Sequence, residues 1–170
     1  MTVVIAPALK ACLLRDLAGF SAELDAYPDD ASVWGMPAGV SNSTGTLTLH
    51  CCGNMRHFVG AMLGQSGYIR QRDAEFSQRD VSRVELHVLI AVTMDEVAHA
   101  LDGLDESTLP AVVPTPVGGV QPPMTTWLVH LATHLAYHLG QADIHRRIVT
   151  GERRPVGVMG IAPLMDGAHH

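Results

Sequence analysis

Apolar residues recur every three or four positions in four long stretches of the chain, and this spacing predicts four amphipathic helices. We expect them over about 7–27, 44–64, 82–101 and 123–150. The third begins with a capping-box signature, Ser82-Arg83-Val84-Glu85, and Gly151 follows the fourth as a helix-ending glycine. Four helices of this length indicate an all-α four-helix bundle, a fold that builds metal sites from facing helices.

The connections between these helices are rich in Gly, Pro and charged residues. We interpret 34–43 as a loop, and 68–80 as mostly loop with a solvated set of charges. The third connection is rich in proline and has weak β character near Val112. Because two connections are long, simple up-down-up-down wiring is not required. We expect the whole chain, residues 1–170, to form a single domain with a core over about 8–155 and an irregular tail over 152–170.

Composition excludes several classes of protein. The chain has 170 residues, 47% of them hydrophobic and 16% charged, so a disordered protein is not expected. The net charge is −6, and the 11 Lys and Arg form no basic stripe, which argues against nucleic-acid binding. No apolar run suits a membrane span, and MTVVIAPALK lacks the features of a signal peptide. Three cysteines, an odd number, fit a reducing cytoplasm.

Histidines supply the chemistry of this sequence. His134 and His138 are four residues apart in WLVHLATHLAYHLGQADIHRR, on the side of the fourth helix that faces the core. Imidazoles placed there are costly to bury unless a partner satisfies them, and a metal ion would do so. His130 is spaced equally well from His134, so spacing alone does not choose between the two pairs. On the second helix, His50 and Asn54 lie beside apolar positions of the predicted core.

A divalent metal held by three neutral imidazoles, with one open position, is a familiar catalytic arrangement. His50 is the best candidate for a third ligand, and Asn54 or Gln141 could orient a ligand or a bound water. We interpret four other histidines as structural or solvent-facing: His57, His87, His99 and His145. The two histidines of the tail, His169 and His170, are discounted. Two cysteines are interpreted as small core residues, Cys51 and Cys52.

Two segments resemble motifs of the DinB/YfiT-like superfamily. HLATHLAYHLGQADIHRRIVTG is similar to its last helix, where a His-x3-His pair precedes a Gly-Gln step. NSTGTLTLHCCGNMRHFVGAMLGQSGYIRQRDAEFS is similar to its second helix and the following loop, where a single His is the third ligand. The resemblance covers about residues 8–155. It implies that His50, His134 and His138 bind the metal, and it favours His134/His138 over His130/His134.

The same resemblance implies more about the fold and the cofactors. The expected architecture is a bundle wired up-down-down-up, with a long crossover between the second and third helices, in a frequent bacterial homodimer. The metal is commonly zinc or nickel. Some members are thiol transferases that use glutathione, mycothiol or bacillithiol, and one group isomerises maleylpyruvate. Several transferases carry an extra C-terminal domain, for which this chain has no room. The superfamily name refers to induction by DNA damage and not to DNA binding.

Two hypotheses about function follow. The first is a metal-dependent enzyme for thiol S-transfer or hydrolysis of a small molecule, with a low-molecular-weight thiol as possible co-substrate. In it Asn54 or Tyr137 positions substrate, and Arg70 or Arg72 receives a substrate carboxylate. The second is a non-catalytic, stress-related bundle that binds a metal or small ligand. It stays open because the fourth helix carries no acidic residue beside the histidine pair; Asp143 falls on another face.

Overall fold

The computed structural model describes residues 5–164, so the predicted roles of His169 and His170 and the end of the predicted tail lie outside the described residues. The described chain is all-helical, which confirms the predicted fold class. It has two isolated β-bridges, one of them between Val112 and Pro123. The α-helices are α1 (Ala6–Asp25), α2 (Asp30–Val33), α3 (Thr44–Met55), α4 (Arg72–Ser77), α5 (Arg83–Asp102) and α6 (Met124–Thr150).

The ends of the long helices follow local sequence signals. The Ser82 side chain accepts a hydrogen bond from the backbone N–H of Glu85, and the Glu85 carboxylate accepts one in return, so the predicted capping box is present at α5. Ser43 caps α3 by accepting from the N–H of Thr46. At the end of α6, Gly151 has a φ of 72°, a conformation that glycine adopts without strain. These signals account for the agreement between predicted and observed helix ends.

Contacts of α1 define the directions of two neighbours. Lys10, near the start of α1, pairs with Asp102 at the end of α5, at 2.5 Å. Glu23, near the end of α1, pairs with Arg146 near the end of α6, at 2.6 Å. Helix α5 is therefore antiparallel to α1, whereas α6 runs in the same direction as α1.

Helix α3 packs between α5 and α6, and each of its residues is buried. Its first residue, Thr44, lies 3.1 Å from His145 near the end of α6, so the two helices are antiparallel. Arg56, just beyond α3, binds Glu96 in the second half of α5 at 2.8 Å. Helices α3 and α5 therefore run one way and α1 and α6 the other, and α3 is held in the interior where its histidine meets α6.

The apolar stripes of the four long helices meet in one core. Its largest side chains are nearly inaccessible to solvent, and burial of each such side chain contributes about 1.5–3 kcal/mol. They are Leu13, Leu17, Phe20, Leu24, Leu47, Met55, Leu86, Ile90, Leu128, Leu131 and Leu135. In the part of the chain that the structure describes, no helix is long and apolar enough to cross a membrane.

Two charged or polar networks are buried beside this core. Arg146 is fully buried and binds the carboxylates of Glu23 at 2.6 Å and Asp143 at 3.0 Å. His145, 1% exposed, accepts from the Tyr27 hydroxyl at Nδ1 and donates from Nε2 to the Gly35 carbonyl at 2.7 Å. Burial lowers the pKa of His145, which keeps the ring neutral. The ring is buried and hydrogen-bonded at both nitrogens, and it is not one of the three clustered histidines described below.

The prediction that 68–80 is mostly solvated loop is wrong for Arg72–Ser77, which form α4. The helix packs against α3 because its Glu75 side chain is 5% exposed and forms hydrogen bonds with Arg70 and His50. The second predicted helix also changes geometry, since Arg56–Ala61 continue α3 as a π-helical turn. Both features depend on tertiary contacts rather than on apolar periodicity.

Candidate metal centre

The structure brings the imidazoles of His50, His134 and His138 together between α3 and α6. One ring nitrogen from each lies within 4.8 Å of those of the other two. The Nε2 atoms of His134 and His138 are 3.1 Å apart, and the His50 ring centroid lies 5.3 Å and 5.1 Å from theirs. His50 is 6% exposed, and the other two are half-buried. The three rings form a compact cluster of nitrogen donors.

The donor set suits a divalent transition metal. Two imidazole nitrogens bound to the same tetrahedral zinc lie about 3.3 Å apart, close to the separation seen between His134 and His138. Three imidazoles are acceptable ligands for zinc, nickel and iron. His130 is exposed and is not one of the three residues that cluster, so the structure groups His134 with His138 and His50.

Two of the three rings are oriented by hydrogen bonds from behind. Nδ1 of His50 lies 3.0 Å from Oε2 of Glu75, and Nδ1 of His138 lies 2.7 Å from Oε1 of Gln141. When Nδ1–H donates to these oxygens, Nε2 of each ring is left with its lone pair toward the cluster. Acceptors behind metal-binding histidines fix the tautomer and raise the basicity of the ligand nitrogen in this way.

Glu75 is the residue of the centre that sequence reasoning missed. Arg70 donates to both of its carboxylate oxygens, at 2.7 Å and 2.8 Å. Burial opposes ionisation, but the hydrogen bonds from Arg70 and His50 outweigh it and hold the pKa of Glu75 below its usual value. Gly53 admits the carboxylate, because a Cβ there would overlap Glu75 Oε1. In the sequence, a glycine three residues after His50, on the same helix face, was the signal that another side chain could approach α3 closely there.

Burial keeps the α6 pair neutral. It is the main cause that lowers the pKa of His134 to about 4, and the nearby rings of His138, His50 and His130 add to the effect. Burial also lowers the pKa of His138. Neutral imidazole is the form that binds a metal, so both side chains are ready to act as ligands at neutral pH.

A model of the mycothiol-S-transferase family matches residues 8–151, which include all three clustered histidines. The chain belongs to the mycothiol-S-transferase family. This is a DinB/YfiT-like family, so the predicted superfamily membership is confirmed. A comparison with curated proteins and one with solved structures each found no match. The family is associated with metal-dependent thiol transfer, and three histidines of this member are placed where they could bind a metal.

The candidate substrate-positioning residues of this family member lie in different settings. Asn54 is 7% exposed, one turn after His50, and its Oδ1 has no hydrogen-bond partner among residues 5–164. Tyr137 is 65% exposed, with its ring edge-on to His138 at 5.3 Å. The exposed Arg72 lies over the Phe76 ring, whereas Arg70 is bound to Glu75. Of the two arginines, Arg72 is therefore the freer to meet a substrate carboxylate.

A groove of about 420 Å³ is lined in part by Gln141, the residue that is hydrogen-bonded to His138. Tyr137, Gly140 and Ile144 of α6 form one wall, and the 39–42 loop forms the other. None of the three clustered histidines lines it. Its polar contact with the centre is Gln141, whose carbonyl oxygen holds His138.

Proposed function

We propose that the protein is a metal-dependent thiol S-transferase that joins a low-molecular-weight thiol, with mycothiol as the first candidate, to a small electrophile. His50, His134 and His138 hold the divalent cation, zinc or nickel. The observation that carries the proposal is the convergence of these three imidazoles, two of them hydrogen-bonded from behind by Glu75 and Gln141. The match to the mycothiol-S-transferase family supports the choice of thiol.

A divalent cation held by the three histidines would supply an anionic sulfur, because a positive charge lowers the pKa of a thiol bound to it. The side chains of the chain supply the rest. Glu75 and Gln141 fix the tautomers of His50 and His138, and burial keeps the α6 pair unprotonated. In the reaction a sulfur–carbon bond forms, the bond from that carbon to the leaving group breaks with its electron pair, and the thiol proton passes to solvent.

The state of Glu75 favours thiol transfer over hydrolysis. A free thiol has a pKa of about 8.5, whereas bulk water has one of about 15.7, so activated water depends more strongly on a general base. Glu75, the carboxylate next to the cluster, is held by Arg70 at both oxygens, and its pKa lies below the usual value. A carboxylate held in this way is a weak base, and a thiol co-substrate needs less help from one.

The test compares metal content and turnover in wild type and His138→Ala, with His99→Ala as the matched control on the exposed face of α5. We expect His138→Ala to lose metal and to lose more than about 100-fold in thiol-transfer rate, while His99→Ala keeps both. Equal turnover in wild type and His138→Ala overturns the proposal. A large fall in melting temperature on chelation, without detectable thiol transfer, supports the non-catalytic alternative instead.

Four further expectations stay predictions: a homodimer, the up-down-down-up order, a single domain over residues 1–170, and a cytoplasmic location. Size-exclusion chromatography with light scattering tests the first directly. The directions of the helices described above are compatible with the second.

A further inference from the structure

A continuous row of aromatic rings leads away from the metal centre along α6. The rings of His134 and His130 have centroids 5.9 Å apart, and His130 stacks on Trp127 at 5.1 Å with an interplanar angle of 22°. Trp127 in turn meets Phe58 edge-on at 4.9 Å. Phe58, Trp127 and His130 are called the aromatic row below.

The π-helical turn brings the second helix into this row. Arg56–Ala61 continue α3 with a wider turn that carries Phe58 toward the first turn of α6. Single π-helical turns inside longer helices are frequent at functional sites. The guanidinium of Arg70, which also holds Glu75, lies 5.6 Å from the Phe58 ring centroid. Phe58 is thus linked, through Arg70, to Glu75, the carboxylate that is hydrogen-bonded to His50.

Two nitrogens of α6, one in the aromatic row and one in the adjoining ring of His134, have no hydrogen-bond partner among the described residues. They are Nε1 of Trp127, a residue only 9% exposed, and Nδ1 of His134. A buried indole N–H without an acceptor costs about 1–3 kcal/mol, and buried tryptophans usually have a partner. Trp127 and His134 are two turns apart on α6, so both face the same side of the helix. A cavity of about 230 Å³ adjoins Trp127 and His130.

We propose that the aromatic row is the subsite for the electrophile, and that it selects a planar conjugated ring that carries a halide leaving group and an oxygen acceptor such as a nitro or carbonyl group. The ring packs in the cavity against Trp127 and His130, and its oxygen accepts from Trp127 Nε1. Phe58, edge-on to Trp127, holds the indole in place. This rests on the proposed thiol transfer for the chemical step. The thiol sulfur forms a bond to a ring carbon, a halide leaves with the bonding electrons, and the thiol proton goes to solvent.

The first experiment measures binding without turnover, by titrating tryptophan fluorescence with 4-nitrobenzamide. The chain has two tryptophans, so a Trp34→Phe background leaves Trp127 as the reporter. We expect saturable quenching that cyclohexanecarboxamide does not displace. In that background His130→Ala weakens binding about three- to tenfold, as loss of one aromatic pair does, and His99→Ala leaves it unchanged. Because His130 and His99 are both exposed, neither change is expected to unfold the chain.

The second experiment compares the metal-loaded protein with 1-chloro-2,4-dinitrobenzene and with iodoacetamide as electrophiles. Phe58→Leu is expected to lower the ratio of kcat/KM for the aromatic over the aliphatic electrophile about three- to tenfold. An unchanged ratio, or quenching that stays linear or responds equally to the cyclohexane compound, overturns the subsite. Absence of turnover with both electrophiles refutes the transferase proposal alone, since the fluorescence titration still decides the subsite.

Discussion

Replacing Glu75 by Gln tests how far the metal centre depends on the buried carboxylate behind His50. The substitution keeps the size of the side chain and an oxygen that can accept from His50 Nδ1, but it removes the negative charge. Groups behind metal-binding histidines change metal affinity by about 10–100-fold. Glu75 is charged, 5% exposed and 3.0 Å from the ring, so we expect a loss near about 100-fold, or about 2.7 kcal/mol.

Gln141 provides the comparison for this magnitude. It is neutral and exposed, and it accepts from His138 at 2.7 Å. Because water can replace an exposed acceptor, Gln141→Ala is expected to weaken zinc binding by no more than about tenfold. The charge of Glu75 also neutralises Arg70, whose Nη2 lies 3.4 Å from His50 Nδ1. Arg70→Met added to Glu75→Gln should therefore recover part of the lost affinity.

The assay is a zinc competition titration against a chromophoric chelator at neutral pH. Glu96→Gln serves as the control, because it makes the same change in a half-buried ion pair with Arg56 away from the histidines. It is expected to bind zinc as wild type does. Should Glu75→Gln also bind zinc with wild-type affinity, the carboxylate would not support the metal ligand and the reasoning from burial and charge would be refuted.

Four further predictions concern metal-free stability, metal release, a buried ion pair and the contact between Gly53 and Glu75. Metal-free protein should lose stability as pH falls from about 6.5 toward about 4. The folded-state pKa of His134 is lowered to about 4, so the unfolded chain binds more protons than the folded chain in that pH range. Urea unfolding in the presence of a chelator measures this loss. Acid should also release the metal, because imidazole binds it only when neutral; since the pKa of His134 is lowered to about 4, full occupancy at about pH 3, well below that value, would contradict an imidazole site. Arg146→Met should cost about 3–5 kcal/mol of unfolding free energy, because Glu23 stays buried without its partner, and a double variant with Glu23→Leu should recover most of it. Gly53→Ala should weaken zinc binding in the chelator titration, because its Cβ would displace the Glu75 carboxylate of α4. Gly140→Ala is the control: its Cβ meets no atom within 4 Å, and it should stabilise α6 by up to about 1 kcal/mol. Equal zinc affinity in the two variants would refute the contact between Gly53 and Glu75.

The long helices could be predicted because their signals are local. Apolar spacing, the Ser82 capping box and Gly151 each act within a few residues. Helix α2 has four residues and α4 has six, too few to show an apolar stripe. The change to π geometry at Arg56–Ala61 has no local signature and depends on what packs around it.

The metal centre could be predicted only in part. The spacing of His134 and His138, together with the resemblance to a known superfamily, suggested the three histidines that the structure brings together. Glu75 was missed because it lies 25 residues from His50, in a charged stretch that looks solvated when read alone. The Arg146–Glu23 pair was missed for the same reason, since 123 residues separate its members. Partners this distant become visible only in three dimensions.

Enclosure of α3 on all sides has a consequence for how the centre is assembled in time. Its backbone amides can exchange hydrogen with solvent only when α5 and α6 separate from it, so exchange there should follow global opening of the molecule. The nitrogen donors come from distant parts of the chain and meet only after that closure. Nascent or proteolysed fragments are therefore expected to capture zinc poorly, and loading of the metal becomes a late event that reports on a completed molecule.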